Sequence, residues 1–212
     1  MASPLTIGFD LDMTLIDSRP GIAATYRALS ASTGCFIDAD AAVGRLGPPL
    51  DEELARWFPA DRIAAAGDEF RALYPTHAIA ACPLLPGAAS AVDLVRARGG
   101  RVVVITGKYE PNARRHLDHL GVTVDALVGW CWAEQKTAAL AEHGVRVYVG
   151  DHPADMAAAA ACPGTLGVGV TTGGWPAADL RAAGATAVLT DLTELAPWLT
   201  GDVYEETRIT HR

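Results

Sequence analysis

The sequence predicts an α/β fold in which a parallel sheet lies between helices and is interrupted early by a helical insertion. Three observations carry that prediction. Short runs of β-branched and other apolar residues recur along the chain and are too uniformly apolar for strands with one wet face. Helical patterns alternate with them, as they must if successive strands run parallel and each is reached by a crossover. Between Asp17 and Cys82, by contrast, no convincing strand pattern occurs.

The first expected strand is Leu5 to Phe9. The insertion then follows as short helices over Gly21 to Ser30, Ala39 to Arg45, Asp51 to Trp57 and Asp61 to Leu73. It returns at Pro83-Leu84-Leu85-Pro86-Gly87, a proline-marked junction suited to a hinge. The core is thus expected at residues 1–16 and 83–212 and the insertion at 17–82. Ala88 to Arg98 places Ala91, Val92 and Val95 at helical spacing and stops at Gly99-Gly100. A strand at Arg101 to Ile105 leads to a helix over Pro111 to Leu120, opened by proline and closed by Gly121. The remaining strands are read at Ala126 to Val128, Val145 to Val149, Leu166 to Val170 and, more weakly, Ala187 to Leu189. Helices over Thr137 to Ala141 and Met156 to Cys162 are interleaved with them, and the tail from Gly201 to Arg212 is polar and expected to fray.

Composition excludes several classes. The 212 residues suit one domain with an insertion, and with half of them hydrophobic and 20% charged the chain can bury a core. Seventeen basic against 25 acidic residues give a net charge of −8, the wrong sign for a nucleic-acid binder. No apolar run approaches the roughly 20 residues that span a bilayer. Met1 to Phe9 has no basic start and meets Asp10 and Asp12, a poor signal peptide, so a cytoplasmic address is expected. The four cysteines, Cys35, Cys82, Cys131 and Cys162, include no CxxC pair and read as reduced, mostly buried thiols.

The chemistry-bearing residues stand at the ends of core elements. The first strand ends in Asp10-Leu11-Asp12-Met13-Thr14, so two carboxylates leave a buried strand together. Burying charge without a partner is expensive. Taken alone, the pair also fits a helix cap or turn. A calcium loop does not fit: Thr14 falls at the third ligand position, Leu15 precludes the loop glycine, and Gly21 stands where the closing glutamate belongs. Thr106-Gly107-Lys108 follows the second core strand, where a hydroxyl and a glycine amide suit a phosphate, although such turns are common. Lys136 stands at a helix start, where a lysine is ordinarily solvated. Gly150-Asp151-His152-Pro153-Ala154-Asp155 again sets two acids after an apolar run, with a plain helix cap as the competing role for Asp155.

In order, Asp-x-Asp-x-Thr, Thr-Gly, Lys and Gly-Asp-x-x-x-Asp resemble the four motifs of the haloacid dehalogenase superfamily, over nearly the whole chain. The insertion resembles that family's helical first-type cap, and the nearest likeness is to its phosphoglycolate phosphatase-like members. The resemblance implies a Rossmann-like, doubly wound core and a Mg²⁺-dependent phosphatase that hydrolyses a small phosphorylated metabolite. Asp10 would attack phosphorus and form an aspartyl-phosphate. Asp12 would protonate the leaving oxygen and later deprotonate water, a role that needs a raised pKa. Mg²⁺ would take Asp10, Asp151 and the backbone carbonyl of Asp12, with Asp155 as a helper. Thr106 and Lys136 would hold phosphoryl oxygens, Leu11 and Gly107 would contribute to the phosphate site, and Thr14 would brace the loop carrying Asp12.

The chain departs from the family pattern at Met13, where glycine is usual, and at Thr137, where proline often follows the motif lysine. Within the insertion, Arg45 in Gly44-Arg45-Leu46-Gly47-Pro48-Pro49 is a candidate substrate reader, with a plain surface arginine as the alternative. Tyr74, His77 and Lys108 are further candidates for the cleft, Trp130 and Trp132 for packing beneath the lid, and His152 reads as incidental. A β-phosphoglucomutase-like mutase and a catalytically silent binder remain open. A dehalogenase is disfavoured, since it needs no acid at Asp12 and no metal. The expected partner is a small phosphorylated metabolite, with neither nucleic acid nor membrane, and a monomer or homodimer both fit.

Overall fold

The computed structural model describes residues 5–201. The expected fraying of the tail falls outside the described residues beyond Gly201. Strands β1 (Thr6–Phe9), β2 (Arg101–Ile105), β3 (Ala126–Val128), β4 (Val147–Gly150), β5 (Leu166–Val170) and β6 (Ala187–Leu189) form one parallel sheet in the order β3-β2-β1-β4-β5-β6. Its central strand β1 pairs with β2 on one side and β4 on the other, and open α/β sheets bind ligands beyond the strand ends where the order reverses.

Alternation along the strands decides which side chains go where. Ile7, Phe9, Val102, Val104, Val147 and Val149 share one buried face. It is covered by α5 (Ala88–Ala97), α6 (Glu110–His119) and α10 (Leu195–Thr200) through Val95, Leu117 and Leu195. Val103, Ile105 and Tyr148 occupy the opposite face, under α7 (Glu134–Glu142) and α8 (Pro153–Ala161) through Leu140, Ala158 and Ala159. The short α9 (Ala177–Ala182) closes against β5 and β6. Both faces are apolar because both are covered, which is why these strands read as continuous apolar runs.

The insertion comprises α1 (Arg19–Thr33), α2 (Ala39–Val43), α3 (Leu50–Leu54) and α4 (Ile63–His77). It has a core of its own, built from Tyr26, Leu29, Leu54, Phe58, Phe70 and Tyr74. The chain leaves and returns side by side: Ile16 bridges Leu84 antiparallel, the Asp17 amide donates to the Pro83 carbonyl (2.9 Å), and the Leu85 amide donates to the Leu15 carbonyl (2.9 Å).

Strands β2, β3, β5 and β6 occupy their expected residues. β4 lies later than expected, because Val145 packs at the sheet's lower edge beside Gly8 and the Arg146 amide donates to the Thr6 carbonyl (2.9 Å) before the strand begins. α4 continues past the expected stop at Leu73 and carries Pro75 in its last turn. The missing amide there costs the helix one hydrogen bond, which burial of Tyr74 offsets. α7 is longer than expected at both ends, whereas α2 and α3 are shorter. α9 and α10 fall where no helix is predicted.

Candidate active site

Asp10 follows β1 directly, and its amide still donates to the Val149 carbonyl (2.8 Å), so the sheet ladder holds its backbone. It shares the parity of Gly8, which faces α7 and α8. A Cβ at Gly8 would stand 2.9 Å from the Tyr148 ring, so glycine there lets that ring lie across the sheet. Its hydroxyl donates to the Ile105 carbonyl (2.8 Å) and approaches Asp155 Oδ1 (3.4 Å). Over this surface the Lys136 ammonium donates to Asp10 Oδ1 (3.0 Å) and to Asp155 Oδ1, and it faces the rings of Trp132 and Tyr148. A lysine at a helix start is ordinarily solvated; this one is 1% exposed.

Asp151 and Asp155 arrive from the loop after β4 and the first turn of α8. Oxygens of Asp10, Asp151 and Asp155 lie within 4.8 Å of one another, and all three side chains are buried. Against these acids stands the single ammonium of Lys136. An all-oxygen set with surplus negative charge suits a hard divalent cation. Burial pushes Asp10 up to about 7; Lys136 opposes that, while Asp155 and Asp12 add to it. Burial likewise carries Asp151 well above the carboxylate range, with Asp10 and Asp155 reinforcing it. Burial of Lys136 would lower its pKa, but Asp10 and Asp155 outweigh it and keep the ammonium charged.

Asp12 differs from the expectation of a raised pKa. Burial pushes in that direction, yet the Lys108 ammonium, 2.7 Å from Asp12 Oδ1, outweighs it and holds the carboxyl low. Lys108 in turn lies over the Tyr74 ring (4.7 Å), and the Tyr74 hydroxyl bonds His116 Nε2 (3.0 Å). Burial, with Lys108 assisting, pushes His116 down to about 4, so the ring that meets Tyr74 is neutral. A continuous contact therefore runs from α6 through the insertion to Asp12. Thr106 Oγ1 accepts from the Lys108 amide (3.2 Å), which leaves its own proton free to be donated toward the cavity.

These groups open into a cavity of about 450 Å³ between the sheet and the insertion. Asp10, Asp12, Thr106, Gly107, Lys136, Asp151 and Asp155 all line it, as do Lys108, Tyr74, Trp130 and Trp132. Arg45 is not among its lining residues. Its guanidinium is held by Glu53 at 2.6 and 3.0 Å, because α3 brings an acid across the turn. Leu11 has its side chain fully buried in the sheet core, leaving only its backbone to serve a ligand. His77 is exposed and does not line the cavity. Thr14 braces the loop carrying Asp12 through the second acidic loop: its hydroxyl donates to Asp151 Oδ1 (3.1 Å).

Met13 stands where the backbone turns left-handed (φ 60°), a conformation that favours glycine. The strain is of the order of 1 kcal/mol. It is held by the Met13 amide donating to the Ile16 carbonyl (2.8 Å) and by the Thr172 hydroxyl donating to the Met13 carbonyl. His152 has a structural part. Its Nδ1 caps α8 by accepting from the Ala154 amide (3.0 Å), and its ring sits between Trp132 and Trp175 and beneath Gly47 of the insertion.

Two site residues escape a reading of the sequence. Arg71 of α4 lines the cavity over the Trp130 ring (5.0 Å), but a mid-helix arginine carries no local signal. Gly173 packs its backbone on Asp151, so that a Cβ there would stand 1.7 Å from Oδ2. Gly173→Ala is therefore expected to displace Asp151 and weaken divalent-cation binding about 10- to 100-fold, measured by calorimetry. Unchanged affinity would show that Asp151 is not a ligand.

Comparison with known proteins agrees with this geometry. The family model described as haloacid dehalogenase-like hydrolase matches residues 7–160. A phosphoglycolate phosphatase of Rhodospirillum rubrum is 31% identical over 92% of this chain and 91% of its own. The tyrosine-protein kinase PtkA of Mycobacterium tuberculosis is 35% identical over 57% of this chain and 42% of its own. Among solved structures, a haloacid dehalogenase-like hydrolase from Streptococcus pneumoniae superposes with a TM-score of 0.80 at 24% identity, covering 92% of this chain and 98% of that one. Its fold, the positions of its acidic loops and this match over most of its length show that the chain belongs to the haloacid dehalogenase-like hydrolases.

Proposed function

We propose that the protein is a Mg²⁺-dependent phosphatase that hydrolyses a small phosphomonoester through an aspartyl-phosphate on Asp10. The observation that carries this reading is the buried Asp10–Asp151–Asp155 cluster, with Lys136 bonded to Asp10 and Asp155 and the whole lining the cavity. Asp10, Asp151 and Asp155 would hold Mg²⁺, which when bound neutralises the acids and draws phosphoryl oxygens toward them. Asp10 attacks phosphorus as the bond to the leaving oxygen breaks, and Lys136 and the Thr106 hydroxyl stabilise the charge that spreads over the phosphoryl oxygens. Asp12 supplies a proton to the leaving oxygen, its pKa rising as the anionic phosphate settles beside it. Water then attacks the aspartyl-phosphate, Asp12 takes the water's proton, and phosphate leaves Asp10 regenerated.

Residues 17–82 act as a cap that closes over the substrate and excludes water, pivoting at the paired crossings beside Asp17 and Pro83. Among the described residues no helix is long and apolar enough to cross a membrane, and the cysteines are free thiols, as suits a cytoplasmic enzyme. Phosphate release from a panel of phosphomonoesters, with Mg²⁺ and with chelator, tests the reading. Turnover is expected only with the metal; phosphoryl transfer between sugar positions without phosphate release would indicate a mutase instead.

The Lys108–Asp12 pair adds a pH prediction. Because Lys108 lowers the Asp12 pKa, Lys108→Met is expected to raise it. The carboxylate needed to activate water then forms only at higher pH, and the acid limb of the pH profile of kcat moves upward. An unmoved limb would show that Asp12 does not control the hydrolytic step.

A further inference from the structure

Resting on the phosphatase reading, we propose that the alcohol released by this enzyme is uncharged and apolar, of aromatic size, and that a short carboxylate-bearing phosphoester is a poor substrate. The phosphoryl end of the cavity is polar, but the wall contributed by the insertion is mostly apolar, with Ile22, Tyr26, Leu46, Pro48, Pro49 and Phe70 beside charged Asp51 and Arg71. Tyr26 and Phe70 meet at 4.8 Å between ring centres with their planes tilted by 49°, Tyr74 continues the row at 5.8 Å, and the exposed Trp130 ring also lines the cavity. A cavity of about 450 Å³ falls within the roughly 300–1,000 Å³ that accommodates drug-sized ligands, far more than a two-carbon leaving group occupies.

The cations that could take a second negative charge are already engaged. Lys108 is bound to Asp12 at 2.7 Å. Arg71 meets Asp68 at 3.2 Å and Asp51 at 3.5 Å while lying over Trp130, and Arg45 is turned to Glu53 outside the cavity. The exposed pairs of Arg71 contribute little, but a carboxylate on the leaving group that took Lys108 would have to displace Asp12 from a largely buried pair, and one set on the apolar wall would be buried against aliphatic carbon; both are costly. An apolar group gains by the same contacts.

The test compares 2-phenylethyl phosphate with ethyl phosphate and 2-phosphoglycolate, all three esters of aliphatic alcohols, with Mg²⁺ present. A kcat/KM about 10- to 100-fold higher for the phenylethyl ester than for either competitor is expected from burial of one aromatic ring. Equal or better turnover of 2-phosphoglycolate overturns the proposal and leaves the phosphatase reading standing. Binding of 3-phenylpropylphosphonate against 3-phosphonopropionate, measured by calorimetry, separates the two ideas. Tighter binding of the phenyl compound with no turnover of any ester supports the proposed selectivity and overturns hydrolysis alone, whereas tighter binding of the carboxylate overturns the selectivity. Leu46→Arg places a cation on the half-buried apolar wall and is expected to shift the preference toward 2-phosphoglycolate; a preference that does not move counts against Leu46 lining the leaving-group site.

Discussion

Asp10→Asn is expected to reduce phosphate release by about 10⁴-fold or more, as loss of a nucleophile does in enzymes whose catalytic groups act as a unit. The same substitution is expected to stabilise the metal-free protein at pH 8. Asp10 is buried among Asp12, Asp151 and Asp155, and its pKa of about 7 in the fold stands against 3.8 for an ordinary aspartate. A group whose pKa is raised on folding favours the folded state below about pH 4 and loses that contribution as pH rises through about 7. At pH 8 its ionised form burdens the fold unless a cation is present, and asparagine removes that burden. Thermal melts of wild type and Asp10→Asn with chelator should therefore diverge as pH is raised from 5 to 8, and Mg²⁺ should raise the wild-type midpoint more than that of the variant. Substantial residual turnover in Asp10→Asn would place the nucleophile elsewhere.

Lys136→Met is expected to have the opposite effect on stability and the same effect on turnover. Its ammonium touches Asp10 and Asp155 in a site where it is 1% exposed, so removing it leaves buried carboxylates without their cation. Breaking a buried pair from one side costs about 3–5 kcal/mol. In a chain of this size that corresponds to a fall in Tm of about 6–20 °C. Turnover should drop by about 10²- to 10³-fold through lost stabilisation of the phosphoryl oxygens. Calorimetry and steady-state rates on the same preparation check both. A variant that melts with the wild type would mean that Lys136 is solvated, contrary to its packing against Trp132 and Tyr148.

Asp10, Asp12, Asp151 and Lys136 were readable as a constellation because each follows a strand or opens a helix, where chain order and sheet order bring C-terminal ends together. What each neighbour does was not readable. Thr14 braces the loop carrying Asp12 as expected, but the sequence did not show that its anchor is Asp151, across 137 residues of chain. Arg45 looked suited to an anion from its glycine and proline setting, but Glu53 on the next helix takes its charge. Lys108 gave no sign that it would reverse the pKa expected of Asp12, because that depends on one ammonium lying 2.7 Å away. His152, beside Asp151, joins two tryptophans and the insertion.

The sequence by itself determined the architecture, since apolar runs of strand length alternating with helical patterns have few ways to cover both faces of a sheet. It also determined the acids at the C-terminal ends of the central strands, because a carboxylate directly after a buried strand has little freedom to be anywhere else. Tertiary structure alone decided the charge state of those acids and the character of the space above them. Electrostatic and apolar contacts act over a few ångströms between residues far apart in the chain, and no local pattern encodes which partner will arrive. The apolar wall facing Asp10 exists only once the insertion has folded back over the sheet, and Lys108, Arg71 and Arg45 meet their acids only through folding of the core or of the insertion itself.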